Sequence, residues 1–382
     1  MRILELGEIM KSIITLVKQE TLLFISALLA VFSFLVQPNI RKTIASVDLK
    51  TLLSLLLLMV IVAGFRQAGF FQWLTNTILK KVSNLKNLVL VLVGFSFFIS
   101  MLVTNDVALI MLVPLAISIL KKLELKRLIF TIVLMTIAAN MGSSLTIIGN
   151  SQNLYLFQYG HFKWFSITHL MFPYVFLTGL LLVIFIYLLL PNQMIRQEPI
   201  QVKMDIKSLL FLLVLFSFTF LFIIDVLPVW SPIIIIIFLL MFDRKLFYQV
   251  DYALLLTFFF LFLFLFLFLF IGNINQIPLI TNSIHRVLSG HEVIVTVILS
   301  QLISNVPSAI ALTNYTRQIS DLVIGTNLGG LGTLIASMAS LISYKYIVKE
   351  KEMNRKSYLL MFSLYNVVVL LVLLTFHYLT SN

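Results

Sequence analysis

Four polar clusters interrupt the apolar stretches of this chain, and they hold the side chains best suited to chemistry. Thr104-Asn105-Asp106 lies between Leu88–Val103 and Val107–Leu120, and Ser304-Asn305 lies between His291–Ile303 and Val306–Ile319. Downstream of the first come Asn140, Gly142, Ser143, Ser144, Thr146, Gly149, Asn150 and Asn153. Downstream of the second come Asn327, Gly329, Gly332, Thr333, Ser337 and Ser340. Amides and hydroxyls in apolar surroundings are costly unless they are hydrogen-bonded or hold a ligand. Their oxygens suit a small cation and their N–H groups suit an anion. Asp106 is the one acid expected near the middle of an apolar region, where a carboxylate must take up a proton or a cation. Asn105, Asp106 and Asn305 are the candidate sodium ligands. Glycine and serine also serve close helix packing, and Asp106 also suits the cap of a helix starting at Val107. The recurrence of the asparagines is what points to a site.

The elements that position these residues follow from composition. Of 382 residues, 60% are hydrophobic and 11% charged, against about 25% charged in soluble domains. Too little polar surface remains to coat a water-soluble globule, so the chain is expected to be an integral membrane protein. The absence of cysteine excludes disulfides and thiolate chemistry. His291-Glu292 lacks the second histidine of a zinc-protease motif, because position 295 is Val. Gly329-Gly330-Leu331-Gly332 lacks the lysine of a phosphate loop. No cofactor and no enzymatic activity are expected, and a proton or sodium ion is the candidate coupling species. The net charge of +12 comes from basic residues that punctuate apolar runs. That pattern suits a lipid bilayer rather than a nucleic acid.

The apolar runs are uniform rather than alternating with polar residues, which makes them helices and not barrel strands. Even Leu261–Phe270 alternates only between Leu and Phe, so it reads as filler within a helix. Nine spans are expected: Thr21–Val36, Thr51–Phe65, Leu128–Phe157, Ile167–Leu190, Ser208–Ile224, Val229–Phe242, Tyr252–Ile271, Leu322–Tyr344 and Ser357–Tyr378. Before them, Ile3, Leu6, Met10, Ile13, Ile14 and Val17 fall at helical spacing and predict an amphipathic helix on the membrane surface. Leu88–Val103 and Val107–Leu120 are too short to span, since 16 and 14 residues make helices well under the bilayer core of about 30 Å. With lysines on both outer flanks, they predict a re-entrant hairpin over 88–120 that enters from the cytoplasmic side. A second hairpin, over 291–319, has few flanking cations and is expected to enter from the other face. With the N-terminus inside, 21 of the 27 Lys and Arg fall on the cytoplasmic side, as the positive-inside rule requires.

The two halves also repeat. At an offset of 187 residues, Asn140 meets Asn327, Gly142 meets Gly329, Thr146 meets Thr333, and Asn150 and Asn153 meet Ser337 and Ser340. At an offset of 200, Thr104-Asn105 meets Ser304-Asn305. The fold expected is an all-α polytopic membrane protein of two inverted repeats, each with a re-entrant hairpin and an interrupted transmembrane helix. Its parts are an N-terminal segment with the first span (1–50), the first repeat (51–190), connecting spans (191–251) and the second repeat (252–382). Inverted repeats with broken helices meeting near the midplane are the architecture of secondary transporters.

With Thr104-Asn-Asp106, Pro114, Gly149-Asn150-Ser-Gln-Asn153, Ser304-Asn-Val-Pro307 and the Asn327-to-Thr333 glycine pattern in view, the chain resembles the ion transporter superfamily. That group includes arsenite permeases, citrate-type carriers, divalent anion–sodium symporters and one kind of sodium–proton antiporter. Asn-Asp at the first tip is similar to the arsenite-permease branch, whereas the divalent anion symporters carry Ser-Asn-Thr at both tips. The resemblance implies alternating access, a homodimer, and a small anion or oxyanion as substrate, coupled to or exchanged with protons or sodium. The expected location is the cytoplasmic membrane of a bacterium. Sodium–proton antiport with Asp106 as carrier, and a passive anion channel, are the alternatives.

Overall fold

The computed structural model describes residues 21–36, 47–73, 82, 84–120, 124–194, 204–273, 286–313, 315–348, 350 and 354–381. The expected amphipathic segment at the N-terminus lies outside them. Among the described residues, fifteen α-helices follow one another: α1 (Thr21–Val36), α2 (Leu49–Gln67), α3 (Leu85–Leu102), α4 (Asn105–Leu120), α5 (Leu125–Ser143), α6 (Ser151–Tyr159), α7 (Ser166–Leu189), α8 (Ile206–Ile223), α9 (Ser231–Asp243), α10 (Tyr252–Asn273), α11 (Glu292–Ile303), α12 (Asn305–Leu312), α13 (Ile319–Gly329), α14 (Met338–Ile347) and α15 (Arg355–Ser381). A 3₁₀ turn, Arg244–Gln249, links α9 to α10. No strand occurs among the described residues, where the only bridge pairs Asn84 with Met194. Helices satisfy their backbone within one segment, which is what a lipid environment demands.

Among the described residues, six helices are long and apolar enough to cross a membrane: α2, α3, α5, α7, α8 and α15. A seventh arises if Ser231–Gln249 and Tyr252–Phe264, bent by 86° at their junction, count as one span. The protein is a multi-pass membrane protein. One expectation is corrected here, because α3 is not too short to span. Asn84 Oδ1 accepts the Lys86 N–H at 2.9 Å and starts the helix at Leu85. The resulting 18 residues extend about 27 Å. Its partner α4, with 16 residues, falls short. The expected span 128–157 is split into α5 and α6, and the expected span 322–344 into α13 and α14.

The chain divides into two compact units. Unit 1 comprises residues 1–63 and 215–283. Within it α1 packs on α10, and the Lys50 ammonium meets the Asp225 carboxylate at 2.6 Å. Unit 2 comprises residues 64–214 and 284–382 and holds every polar cluster singled out in the sequence. Its hub is α5, which packs against α3, α4, α7, α14 and α15 and is almost wholly buried. In the other half α13 packs against α11 and α12 in the same manner. Among the contacts that join the halves, α14 lies against α4 and α6 against α12.

Candidate functional site

Each helix pair turns at its polar tip. At the first, α3 stops at Leu102, and α4 begins at Asn105 with the Thr104 hydroxyl accepting the Val107 N–H at 3.4 Å. Thr104, rather than Asp106, therefore caps α4. The Asn105 N–H donates to the Gly149 carbonyl at 3.0 Å, and Asn105 Oδ1 accepts the Asp106 N–H at 3.0 Å. At the second tip the Asn305 N–H donates to the Ala336 carbonyl at 3.0 Å, and Asn305 Oδ1 accepts the Val306 N–H at 2.9 Å. Gly149 and Ala336 are counterparts at the 187-residue offset, so the two tips dock on their broken segments through the same pair of bonds. The tips differ in backbone. Ser304 sits at φ 78°, a left-handed conformation that a serine adopts only under constraint.

The broken segments lie at residues 144–150 and 330–337. Each is followed by a half-helix whose first N–H groups have no carbonyl partner within that helix. Asn150 caps α6 with Oδ1 on the Asn153 N–H at 2.9 Å, and Ser337 holds the equivalent position before α14.

Two asparagines tie the halves together. Asn140 Oδ1, on α5, accepts from Asn105 Nδ2 and from Ser337 Oγ, both at 3.0 Å. Asn140 Nδ2 donates to the Gly330 carbonyl at 3.3 Å and to Ser340 Oγ at 3.4 Å. Asn327 Oδ1, on α13, accepts from Asn150 Nδ2 at 2.9 Å, and Asn327 Nδ2 donates to Asn153 Oδ1 at 2.7 Å. Asn140 thus bonds Ser337 and Ser340 of the other half, while Asn327 bonds their counterparts Asn150 and Asn153. All of these side chains, with Asn305 and Ser304, are buried. Buried amides of this density persist only when their hydrogen bonds are met.

The remaining candidates play supporting parts. Ser143 and Ser144 donate to carbonyls of their own helix, at Asn140 and Met141. Thr146 Oγ1 donates to the Met101 carbonyl at 2.6 Å and Thr333 Oγ1 to the Gln301 carbonyl at 3.4 Å, so both tie a break to its hairpin. Thr333 is exposed, and the structure does not bring its side chain into the asparagine cluster. Gly142 and Gly329 let α5 and α13 approach their hairpins. A Cβ at Gly142 would lie 2.2 Å from the Phe97 carbonyl oxygen, and one at Gly329 2.6 Å from Ser300 Oγ. Asp106 is half-buried in the first turn of α4 and is the one ionisable side chain among the candidates. Two participants went unnoticed in the sequence. Gln152 reaches Asn327 Oδ1 at 3.5 Å, and Gln301 bonds along the second break. The signal for Gln301 was its position opposite Met101 at the 200-residue offset, a polar residue beside a tip.

A family model described as a citrate transporter matches residues 12–321, most of the chain. The chain belongs to the citrate transporter family. An uncharacterized transporter of Methanocaldococcus jannaschii is 33% identical over 310 residues, covering 78% of this chain and 81% of that protein. The inner membrane protein YbiR of Escherichia coli K12 is 29% identical over 311 residues, covering 79% of this chain and 80% of its own length. Family membership and the apolar helices together make this a membrane transporter.

Proposed function

We propose that this protein is a secondary active transporter of a small anion or oxyanion, working by alternating access and coupled to or exchanging with protons or sodium. Citrate, which gives the family its description, is the first substrate to test. The observation that carries the reading is the crossed bonding of Asn140 with Ser337 and Ser340 and of Asn327 with Asn150 and Asn153. Two broken helices exchange polar side chains at repeat-related positions. That supports two inverted halves with re-entrant hairpins at α3–α4 and α11–α12. The N-termini of α6 and α14 offer amide N–H groups and the positive ends of two helix dipoles to an anion. Oxygens of Asn105, Asp106 and Asn305 would serve a sodium ion, and Asp106 alone would serve a proton. A homodimer in the cytoplasmic membrane, N-terminus inside, completes the reading.

A second reading, sodium–proton antiport, draws on one observation: Asp106 is the one ionisable side chain among the candidate residues. A thermal-shift screen of the purified protein with citrate and other anions, with and without sodium, separates the two. Stabilisation by an anion, strengthened by sodium or by low pH, supports anion transport. Stabilisation by sodium alone supports the antiporter.

A further inference from the structure

The two breaks are built alike but are not held alike. In the first, the carbonyls of Ser144 and Thr146 accept from Asn153 Nδ2 at 2.9 and 3.0 Å. That amide comes from α6, the half-helix that follows the break. At the counterpart position the second half has Ser340, a residue with no side-chain amide, whose hydroxyl accepts from Asn140 Nδ2 at 3.4 Å. The counterpart of the Ser144 carbonyl is that of Leu331, and a different donor reaches it. Gln301 Nε2, from the last turn of α11, donates to the Leu331 carbonyl at 2.9 Å and the Gly329 carbonyl at 3.0 Å. Its Oε1 accepts the Thr333 N–H at 2.8 Å. Gly332, at φ +109°, permits the approach, because a Cβ there would lie 2.4 Å from Gln301 Oε1. Position 101, the counterpart in the first hairpin, is Met and offers no such amide.

We propose that Gln301 is a positioning residue of the transport site, setting the conformation of the second break from the hairpin, as Asn153 sets the first from its half-helix. This rests on the reading of the breaks as the transport site. The bonded residues Gly329–Thr333 include Gly330, whose carbonyl takes the Asn140 amide. Loosening the clamp therefore disturbs the contact through which the two halves meet. The second break is tied to its hairpin by one side chain at three points, so it moves with the tip at Ser304-Asn305. The first break is also tied to its hairpin, by Thr146 Oγ1 on the Met101 carbonyl and the Asn105 N–H on the Gly149 carbonyl, but its side-chain amide clamp comes from α6. The amide that clamps the break thus comes from the hairpin in one half-site and from the half-helix in the other.

The test compares wild type with Gln301→Met, which copies the first-half residue, and with Gln301→Glu. As a neutral acid in the membrane, the glutamic acid keeps an acceptor for the Thr333 N–H and one donor. Hydrogen–deuterium exchange on the full chain in nanodiscs reads the amides of 329–337, with 142–150 as the internal control. Losing these bonds is expected to speed exchange in 329–337 by about 5- to 150-fold in Gln301→Met. The control should not change, and Gln301→Glu should recover most of the protection. In proteoliposomes, Gln301→Met is expected to raise the half-saturating citrate concentration at least fivefold while the maximal rate stays within twofold. Unchanged exchange, or a uniform rise across both breaks, overturns the assignment. So does a local rise in exchange with an unaltered citrate KM. Failure of the wild type to carry citrate counts against that substrate, and the exchange result then decides the role of Gln301.

Discussion

Replacing Asn327 by Ala removes the acceptor of Asn150 Nδ2 and the donor to Asn153 Oδ1 in one step. Asn150 keeps a contact to Ser143 Oγ at 3.3 Å, whereas among the described residues Asn153 Oδ1 accepts from Asn327 alone. All three asparagines are at most 2% exposed, so water does not readily replace what is lost. A buried polar group left without its partner costs about 1–3 kcal/mol. One orphan and one weakened group together suggest about 2–4 kcal/mol for Asn327→Ala. Asn153→Ala loses the same side-chain contact and also frees the carbonyls of Ser144 and Thr146. The decisive quantity is the double-mutant cycle. If the two side chains bond, Asn153→Ala with Asn327→Ala should cost less than the sum of the singles by about 1–3 kcal/mol. The assay is reversible unfolding in mixed micelles, monitored by tryptophan fluorescence and by thermal shift. Strict additivity, or two singles indistinguishable from wild type, would refute the crossed bonding on which the site is built.

Two further outcomes follow from the same geometry. Gly142→Ala drives a Cβ to 2.2 Å from the Phe97 carbonyl oxygen, and Gly329→Ala drives one to 2.7 Å from Ser300 Cβ, which rotation of the serine hydroxyl does not move. Each should lower stability by about 1–3 kcal/mol, and an unchanged thermal shift in either variant would contradict the close approach at that glycine. The chain has no cysteine, so single cysteines at Lys86, Lys122 and His291 report sidedness directly. Lys86→Cys and Lys122→Cys should react only from the cytoplasm and His291→Cys only from outside. Labelling of the first two from opposite faces would make α3 and α4 ordinary spans.

The sequence announced helices readily because its apolar runs are uniform, and the breaks at Gly142–Asn150 and Gly329–Ser337 because polar residues cluster there. The repeat pairs Asn150 and Asn153 with Ser337 and Ser340, but spacing groups each set with the asparagine of its own half, and the bonds that cross to Asn327 and Asn140 were not legible. The length of α3 was not legible. It depends on the Asn84 cap, a polar residue upstream of the apolar run that a hydropathy reading excludes. Nor could Gln301 be assigned a role from local sequence. Its partners are backbone carbonyls 28 and 30 residues away, and any sequence in the second break would present them. Capping of α4 by Thr104 instead of Asp106 turns on a one-residue difference in where the helix starts. Spacing alone does not resolve that.

The central claim, that ion movement drives accumulation through this site, is tested most directly by uptake of labelled citrate into proteoliposomes under an imposed sodium or proton gradient. In the proposed mechanism the Asp106 carboxylate, held in apolar surroundings, takes up a proton in one state and a cation in the other. Wild type is expected to accumulate citrate above the external concentration and to lose it when the gradient is collapsed. Asp106→Asn should abolish accumulation while preserving citrate exchange at equal concentrations on the two sides. Uptake that only equilibrates and never saturates would contradict the carrier and indicate a channel. Wild-type accumulation by Asp106→Asn would remove Asp106 from the coupling.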